Sequence, residues 1–286
     1  MATARILQTG PGTSIQDLGR MVGSKYGIPT SGVMDPKSYH WVNHVLQNDP
    51  NDAVLEVSQP GLKIHFDAPT LLSLAGAKAK VMVNQREISN PSMIAIQPGD
   101  ILEIGQIFIG RYVYLGIKSG FQTKITLGSR SYFSPVTGES MVKKHEDLPF
   151  QSLRSSSSSL SRSKPKWKTE WFEKQELEAY PGPDWNLLDR NTQFRITNGI
   201  FHLSKLSNRM GIQLEELIDN RLPELPTNPV FPGTVQLTPG GKLLILMRDA
   251  GVTGGYPRIL QLDEDSISHL AQKNCGEPIR FRMKDF

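Results

Sequence analysis

The chain has one cysteine, Cys275, in 286 residues. That excludes a disulfide framework and any zinc site built from thiolates of this chain alone. Charge of one sign is also in short supply: 32 Lys and Arg against 28 Asp and Glu leave a formal net charge of +4, spread too evenly to argue for nucleic-acid binding. No apolar run exceeds strand length, Leu243 to Met247 being typical, and Met1 to Gly12 is too polar for a secretory signal. A soluble, cytoplasmic protein with no membrane segment is expected. Cys275, just before Gly276, reads as a packed or surface thiol near a helix end and receives no catalytic role.

Familiar catalytic motifs are missing too. Gly240-Gly241-Lys242-Leu243 lacks the spacing and the hydroxyl of a phosphate-binding P-loop, and Ile15 stands where a dinucleotide fingerprint opening at Gly10-Pro11-Gly12 needs its third glycine. There is no G-x-S-x-G elbow and no H-E-x-x-H helix. His40 and His44 stand four apart, yet no third ligand is near in sequence, so no metal is assigned. No lysine is flanked by methionines as an attached biotin requires, and Met283-Lys284-Asp285 does not fit.

What is abundant is turn chemistry: 25 glycines and 20 prolines exceed their usual combined share of roughly 12%. They separate short apolar or β-branched runs at 53–57, 62–66, 70–74, 80–83, 101–109 and 111–117, with turn formers such as Pro60-Gly61, Asn84-Gln85, Asn90-Pro91 and Pro98-Gly99-Asp100 between them. Further strands are expected at 193–197, 211–214, 234–237 and 242–247. Two helices interrupt the pattern. One, over about 36–47, has Asp35 to cap it, Pro36 at its first position and Tyr39, Val42, Val45 and Leu46 at helical spacing; the other follows Asp263 and Asp265, with Ile267, Leu270 and Ala271 on one side. The length suggests two domains. The Ser155 to Ser159 run and the Lys/Arg that follow it read as a solvated linker, giving expected units at 1–150 and 179–286 joined by 151–178.

Four segments concentrate Gly, Arg, Asp and hydroxyls. In 13–20, Asp17 and Arg20 either hold a polar ligand or orient one another in a turn. The segment 27–35 leads into the first helix, with Asp35 mostly a cap. In Ser207-Asn208-Arg209-Met210-Gly211 a buried guanidinium needs a carboxylate, from protein or ligand. In 248–258, glycines permit close approach of a ligand while Asp249, Thr253, Tyr256 and Arg258 supply acid, hydroxyl, ring and fork; the alternative is an elaborate β-turn.

These segments, in this order, resemble the family of allophanate hydrolase subunit 2, also described as the A/B subdomains of a biotin-dependent carboxyltransferase, and most of all the C subunits of ATP-hydrolysing 5-oxoprolinases. The matching pieces are T-S-I-Q-D-L-G-R at 13–20, G-I-P-T-S-G-V-M-D at 27–35, A-V-L-E-V at 53–57, Y-L-G-I-K-S-G-F at 114–121, L-G-S-R-S at 127–131, P-G-P at 181–183, S-N-R-M-G at 207–211 and T-G-G-Y-P at 253–257. The match runs from about residue 5 to 282. Departures are Ser119-Gly120 where Gly-Gly is usual, Tyr132 where Thr is common, Ala250-Gly251-Val252 where a more polar stretch is usual, and Cys275-Gly276-Glu277 where Pro-Gly-Asp is expected.

The resemblance implies a mainly β fold of two tandem cyclophilin-like units, each a closed antiparallel barrel with one or two end helices. It implies one component of a hetero-oligomeric 5-oxoprolinase that uses ATP to open 5-oxoproline to glutamate. Its implied partners are a sister chain of related fold, of the oxoprolinase B or allophanate hydrolase subunit 1 type, and the oxoprolinase A chain. On this reading Asp249, Arg209 and Tyr256 are catalytic, while Asp17, Arg20, Thr253, Gly254, Gly255 and Arg258 bind substrate. ATP belongs to the complex, since this chain has no P-loop, and no biotin is attached. Two alternatives stand beside it: a carboxyltransferase component acting on urea or a related amide, and a non-catalytic partner that regulates a kinase through the sister chain.

Overall fold

Runs that alternate apolar and polar residues bury one face and pair edge to edge. The computed structural model, which describes residues 1–89, 91–153, 166–222 and 225–284, is accordingly mainly β, with three α-helices among those residues. It falls into two units, Met1–Arg20 with Asp35–Glu170 and Met21–Met34 with Trp171–Phe286. These divisions differ from the expected 1–150 and 179–286, because 21–34 groups with the second unit and the residues up to Glu170 with the first. Of the expected linker, 154–165 lie outside the described residues. Trp167 is an anchor, its indole N–H donating to the Gly76 carbonyl at 3.0 Å.

The first unit contains β1 (Ala2–Gln8), β2 (Ser14–Gln16), α1 (Pro36–Val45), β3 (Val54–Val57), β4 (Leu62–Phe66), β5 (Thr70–Val83), β6 (Arg86–Glu87), β7 (Ile94–Ile96), β8 (Ile101–Ile117) and β9 (Asp147–Phe150). Its sheet runs β2-β3-β8-β4-β1-β9, with β5 pairing β6, β7 and β8, every pair antiparallel. Two pairs of expected strands are thus single long ones, 70–83 and 101–117. Gly76 at φ 86° and Gly110 at φ 83° let each strand kink without ending, and the β5–β8 register shifts between Gly76 and Val81. The kinks curl the sheet into a half-barrel around Ile6, Leu55, Ile64, Leu74, Leu102 and Leu115, all buried. Each such side chain contributes about 1.5–3 kcal/mol. Helix α1 begins where expected: the Asp35 carboxylate accepts from the Ser38 N–H at 3.0 Å, Pro36 fills the first position, and Tyr39, Val42 and Asn43 are buried.

The second unit contains β10 (Glu176–Pro181), α2 (Arg190–Asn198), β11 (Phe201–Ser207), β12 (Gly211–Leu217), β13 (Asn228–Pro229), β14 (Thr234–Leu237), β15 (Lys242–Leu246), β16 (Thr253–Gly254), β17 (Arg258–Leu262), α3 (Glu264–Ala271) and β18 (Pro278–Met283). Seven strands close a barrel in the order β10-β17-β14-β15-β12-β11-β18, and β13 pairs β16 separately. The β10–β18 pair that helps close it is parallel, where a wholly antiparallel barrel was expected. The expected strand 193–197 is a helix: Asp189 accepts from the Thr192 N–H at 2.8 Å, and Thr192 and Ile196, one turn apart, are buried while Phe194 is exposed. Helix α3 is capped by Asp263. It buries His269, whose Nε2 lies 3.4 Å from the Phe172 carbonyl, and desolvation, helped by the Lys273 charge, lowers the imidazole pKa to about 4. No helix among the described residues is long and apolar enough to cross a membrane.

Candidate functional site

The β11–β12 hairpin turns at Asn208, whose side-chain oxygen accepts from the Met210 and Gly211 N–H groups at 2.7 and 3.2 Å. This tight turn holds Arg209 at the tip. Its guanidinium meets Asp249 at two points, Nε to Oδ2 at 2.7 Å and Nη2 to Oδ1 at 3.1 Å, and Nη2 also donates to the Gly32 carbonyl at 2.6 Å. Backbone bonds run alongside, from Asp249 N–H to the Arg209 carbonyl at 2.8 Å and from Ser31 N–H to the Arg248 carbonyl at 2.9 Å. The carboxylate that Arg209 needs therefore comes from the protein. One largely buried ion pair, with 19% and 12% side-chain exposure, braces 207–211 to 248–258, and the bonds at Ser31 and Gly32 tie in part of a third segment picked out in the sequence, 27–35.

Arg258 opens β17 beside a second carboxylate. Asp184 Oδ2 accepts from the Arg258 backbone N–H at 2.9 Å and from its Nε at 3.0 Å, and Nη1 reaches the Pro229 carbonyl at 3.3 Å. Nη2 has no hydrogen-bond partner among the described residues. The Pro181-Gly182-Pro183 turn comes so close to β17 that a Cβ on Gly182 would lie 2.2 Å from the Arg258 carbonyl oxygen. Both line a cavity of about 530 Å³ walled by Tyr180, Phe231 and Leu260, with Asn186, Thr234, Arg258 and Gln261 among its polar groups. Such a space suits a small ligand with one anionic end.

A second cavity, of about 450 Å³, shares Pro229 and Phe231 with the first and is lined by Thr253, Thr30, Ser24, Lys25 and Arg248. Arg248 pairs with Glu264, Nη2 to Oε2 at 2.5 Å, while its buried Nε has no partner among the described residues. Glu264 thus offsets Arg248, and Lys25 and three hydroxyls, with no carboxylate in the lining, leave this cavity mildly electropositive.

Of the residues singled out in the second unit, Arg258 lines one cavity and Thr253 the other. Gly254 is a packing glycine, since a Cβ there would lie 2.6 Å from Gln236 Nε2; a Cβ on Gly255 would make an ordinary contact, 3.5 Å from the Leu225 carbonyl oxygen. The Tyr256 ring is 43% exposed and lines neither cavity.

Asp17 and Arg20 belong to the first unit. The Asp17 carboxylate is filled by four donors: the Gly19 N–H at 2.8 Å, the Ser129 and Ser131 hydroxyls at 2.6 Å and the Arg130 N–H at 2.6 Å. Arg20 is buried and donates to the Ser131 carbonyl. Here the turn reading accounts for Asp17: it joins 13–20 to L-G-S-R-S at 127–131.

Several charged residues are given no role by the sequence. Asp184 is the carboxylate after P-G-P, and Arg248 and Lys25 form the electropositive wall. Glu56, fully buried in β3, accepts from the Tyr114 hydroxyl at 2.8 Å, and that hydroxyl accepts from the Asp35 N–H at 2.8 Å. Burial beside these two carboxylates drives the Tyr114 pKa far up, so the phenol stays protonated. An acid inside the apolar run V-L-E-V was the available signal. Among the described residues no three His, Cys, Asp or Glu side chains gather as a metal site, and His40 and His44 are exposed on α1.

Comparison with known proteins gives the chain's relatives. The family model "Carboxyltransferase domain, subdomain A and B" matches residues 26–283. The C subunit of the 5-oxoprolinase of Escherichia coli is 29% identical over 285 residues, 97% of this chain and 90% of that one. The urea amidolyase of Lachancea kluyveri is 34% identical over 129 residues, which cover 44% of this chain and 7% of that one. The solved urea amidolyase of K. lactis superposes with a TM-score of 0.86 at 23% identity, over 98% of this chain and 18% of that one.

Proposed function

The chain belongs to the family of carboxyltransferase domains, subdomains A and B, and on that premise we propose that it is the C subunit of a multi-subunit 5-oxoprolinase, contributing to the ATP-dependent opening of 5-oxoproline to glutamate. The observation that carries the reading is the end-to-end match to such a C subunit, 97% of one chain against 90% of the other.

A lactam is a poor electrophile because its nitrogen lone pair is shared with the carbonyl. Transfer of the ATP γ-phosphoryl group to the lactam oxygen releases ADP and makes the ring carbon attackable. Water then adds and the carbon–nitrogen ring bond breaks, leaving an acyl phosphate, which a second water hydrolyses to phosphate and glutamate. In this scheme the Arg258 cavity holds the substrate: the free Nη2 of the fork, with Asn186, meets its carboxylate, and Phe231 and Leu260 cover the ring. The electropositive cavity with Thr253 and Arg248 lies next to it for the phosphorylated oxygen. Arg209 and Asp249 position the segments that carry both cavities.

The nucleotide is assigned to the partner chains. The N-termini of all three α-helices among the described residues are filled by their own aspartates, Asp35, Asp189 and Asp263, which disfavours phosphate there. A sister chain of the B type and an A-type chain therefore complete the enzyme, and the cytoplasm, where ATP is available, is its proposed location. The test is reconstitution of the full chain with both partners: glutamate forms from 5-oxoproline only with ATP and all three chains. Assembly without ATP-dependent glutamate formation overturns the reading. The urea amidolyase match favours a second reading, a carboxyltransferase component acting on urea or a related amide; it predicts activity only with a biotin carboxylase and carrier protein.

A further inference from the structure

A third cavity, of about 530 Å³, is lined by residues of the first unit and shares none with the two cavities above. Its wall is the middle of β5, where Leu and Val give way to Ala75-Gly76-Ala77-Lys78-Ala79. Protein interiors fill such space with larger side chains. Here the small residues coincide with three successive shifts in the β5–β8 register, between Gly76 and Val81, so the strand is bent around the opening.

Two aromatic residues, Trp167 and Phe108, line the same cavity. Trp167 is fixed by its bond to the Gly76 carbonyl at 3.0 Å and by the Trp41 ring, whose centroid lies 5.3 Å away. A flat, pre-set indole thus lines the cavity without having to be ordered by a ligand, and Phe108 adds a 60% exposed ring. Lys78 and Lys166 line it as well, neither in an ion pair among the described residues, against a single carboxylate, Glu87. The balance is one net positive charge beside an aromatic wall.

We propose that this cavity is a second, separate binding site that takes a small planar organic anion, its ring stacked on Trp167 and its acidic group met by Lys78 and Lys166. The volume falls in the range of sites for small molecules, roughly 300–1,000 Å³. Charge-assisted hydrogen bonds to ammonium groups supply the preference for an anion.

Titration calorimetry of the full chain with indole-3-acetate and its neutral amide, indole-3-acetamide, tests this. In a chain carrying Arg258→Ala, which removes the fork of the other anion-accepting cavity, one site is expected, with the acetate bound about tenfold tighter than the amide. The exposed-lysine variant K78E/K166E loses that preference while still binding the amide. Ala79→Trp fills the cavity and abolishes binding of both, with thermal melts confirming that each variant is folded; should Ala79→Trp not fold, the lysine variant decides. Equal affinity for acid and amide, a preference unchanged in K78E/K166E, or no saturable binding of either compound overturns the proposal.

Discussion

Replacing Asp249 with alanine removes both charge-assisted bonds that the Arg209 fork makes to it, at 2.7 and 3.1 Å. Breaking a fully buried ion pair from one side costs about 3–5 kcal/mol. The side chains here are 19% and 12% exposed, which moderates the loss to about 2–3 kcal/mol. Arg209→Ala costs a similar amount and also strips the Gly32 carbonyl of its 2.6 Å donor. The double variant should cost less than the two singles together by about 2 kcal/mol, because the second deletion removes the group the first left uncompensated. Urea unfolding reads this directly, with Trp171 and Trp185 reporting on the second unit through fluorescence. Additivity within about 0.5 kcal/mol would refute the brace and return Arg209 to the pool of groups free to act on substrate.

Three further expectations follow from named geometry. His269 is buried neutral with its pKa lowered to about 4, against about 6.5 when unfolded, so its contribution is complete above pH 6.5 and is lost as pH falls toward 4. The loss reaches up to ~3 kcal/mol; His269→Gln should flatten stability against pH in that window, and an unchanged slope counts against the assignment. Gly182→Ala drives a methyl to 2.2 Å from the Arg258 carbonyl oxygen and should cost about 1–3 kcal/mol in thermal unfolding; a neutral result means the turn can move aside. Ser119 sits at φ 63°, a left-handed conformation costing roughly 1–2 kcal/mol for a non-glycine residue. Less the roughly 0.5–1 kcal/mol of extra backbone entropy glycine loses, Ser119→Gly should stabilise by about 0.5 kcal/mol, and a lower melting temperature would refute this.

The strands are legible because period-two burial is written into short runs such as L-K-I-H-F at 62–66. Strand ends are less so: a glycine that kinks a continuing strand, as Gly76 and Gly110 do, reads locally like one that ends it. Helix α2 reads as a strand because Phe194 and Ile196 alternate with polar neighbours. The deciding features are the Asp189 cap and the i, i+4 pair of Thr192 and Ile196. At the site, Arg209 and Asp249 can be picked out singly, but their pairing spans 40 residues and depends on the barrel. The Asp184 partner of Arg258 is 74 positions distant and has no local signature. Ser119 is visible as a departure from Gly-Gly, and its positive φ gives that departure its physical meaning.

The proposed binding of substrate in the Arg258 cavity is read by the Michaelis constant for 5-oxoproline of this chain, carrying Arg258→Lys, reconstituted with its two proposed partner chains. Lysine keeps a positive charge beside Asp184 but loses the second prong of the fork. A KM raised about tenfold or more, with assembly and kcat largely retained, is the predicted result; a KM equal to that of the unaltered enzyme would contradict the claim.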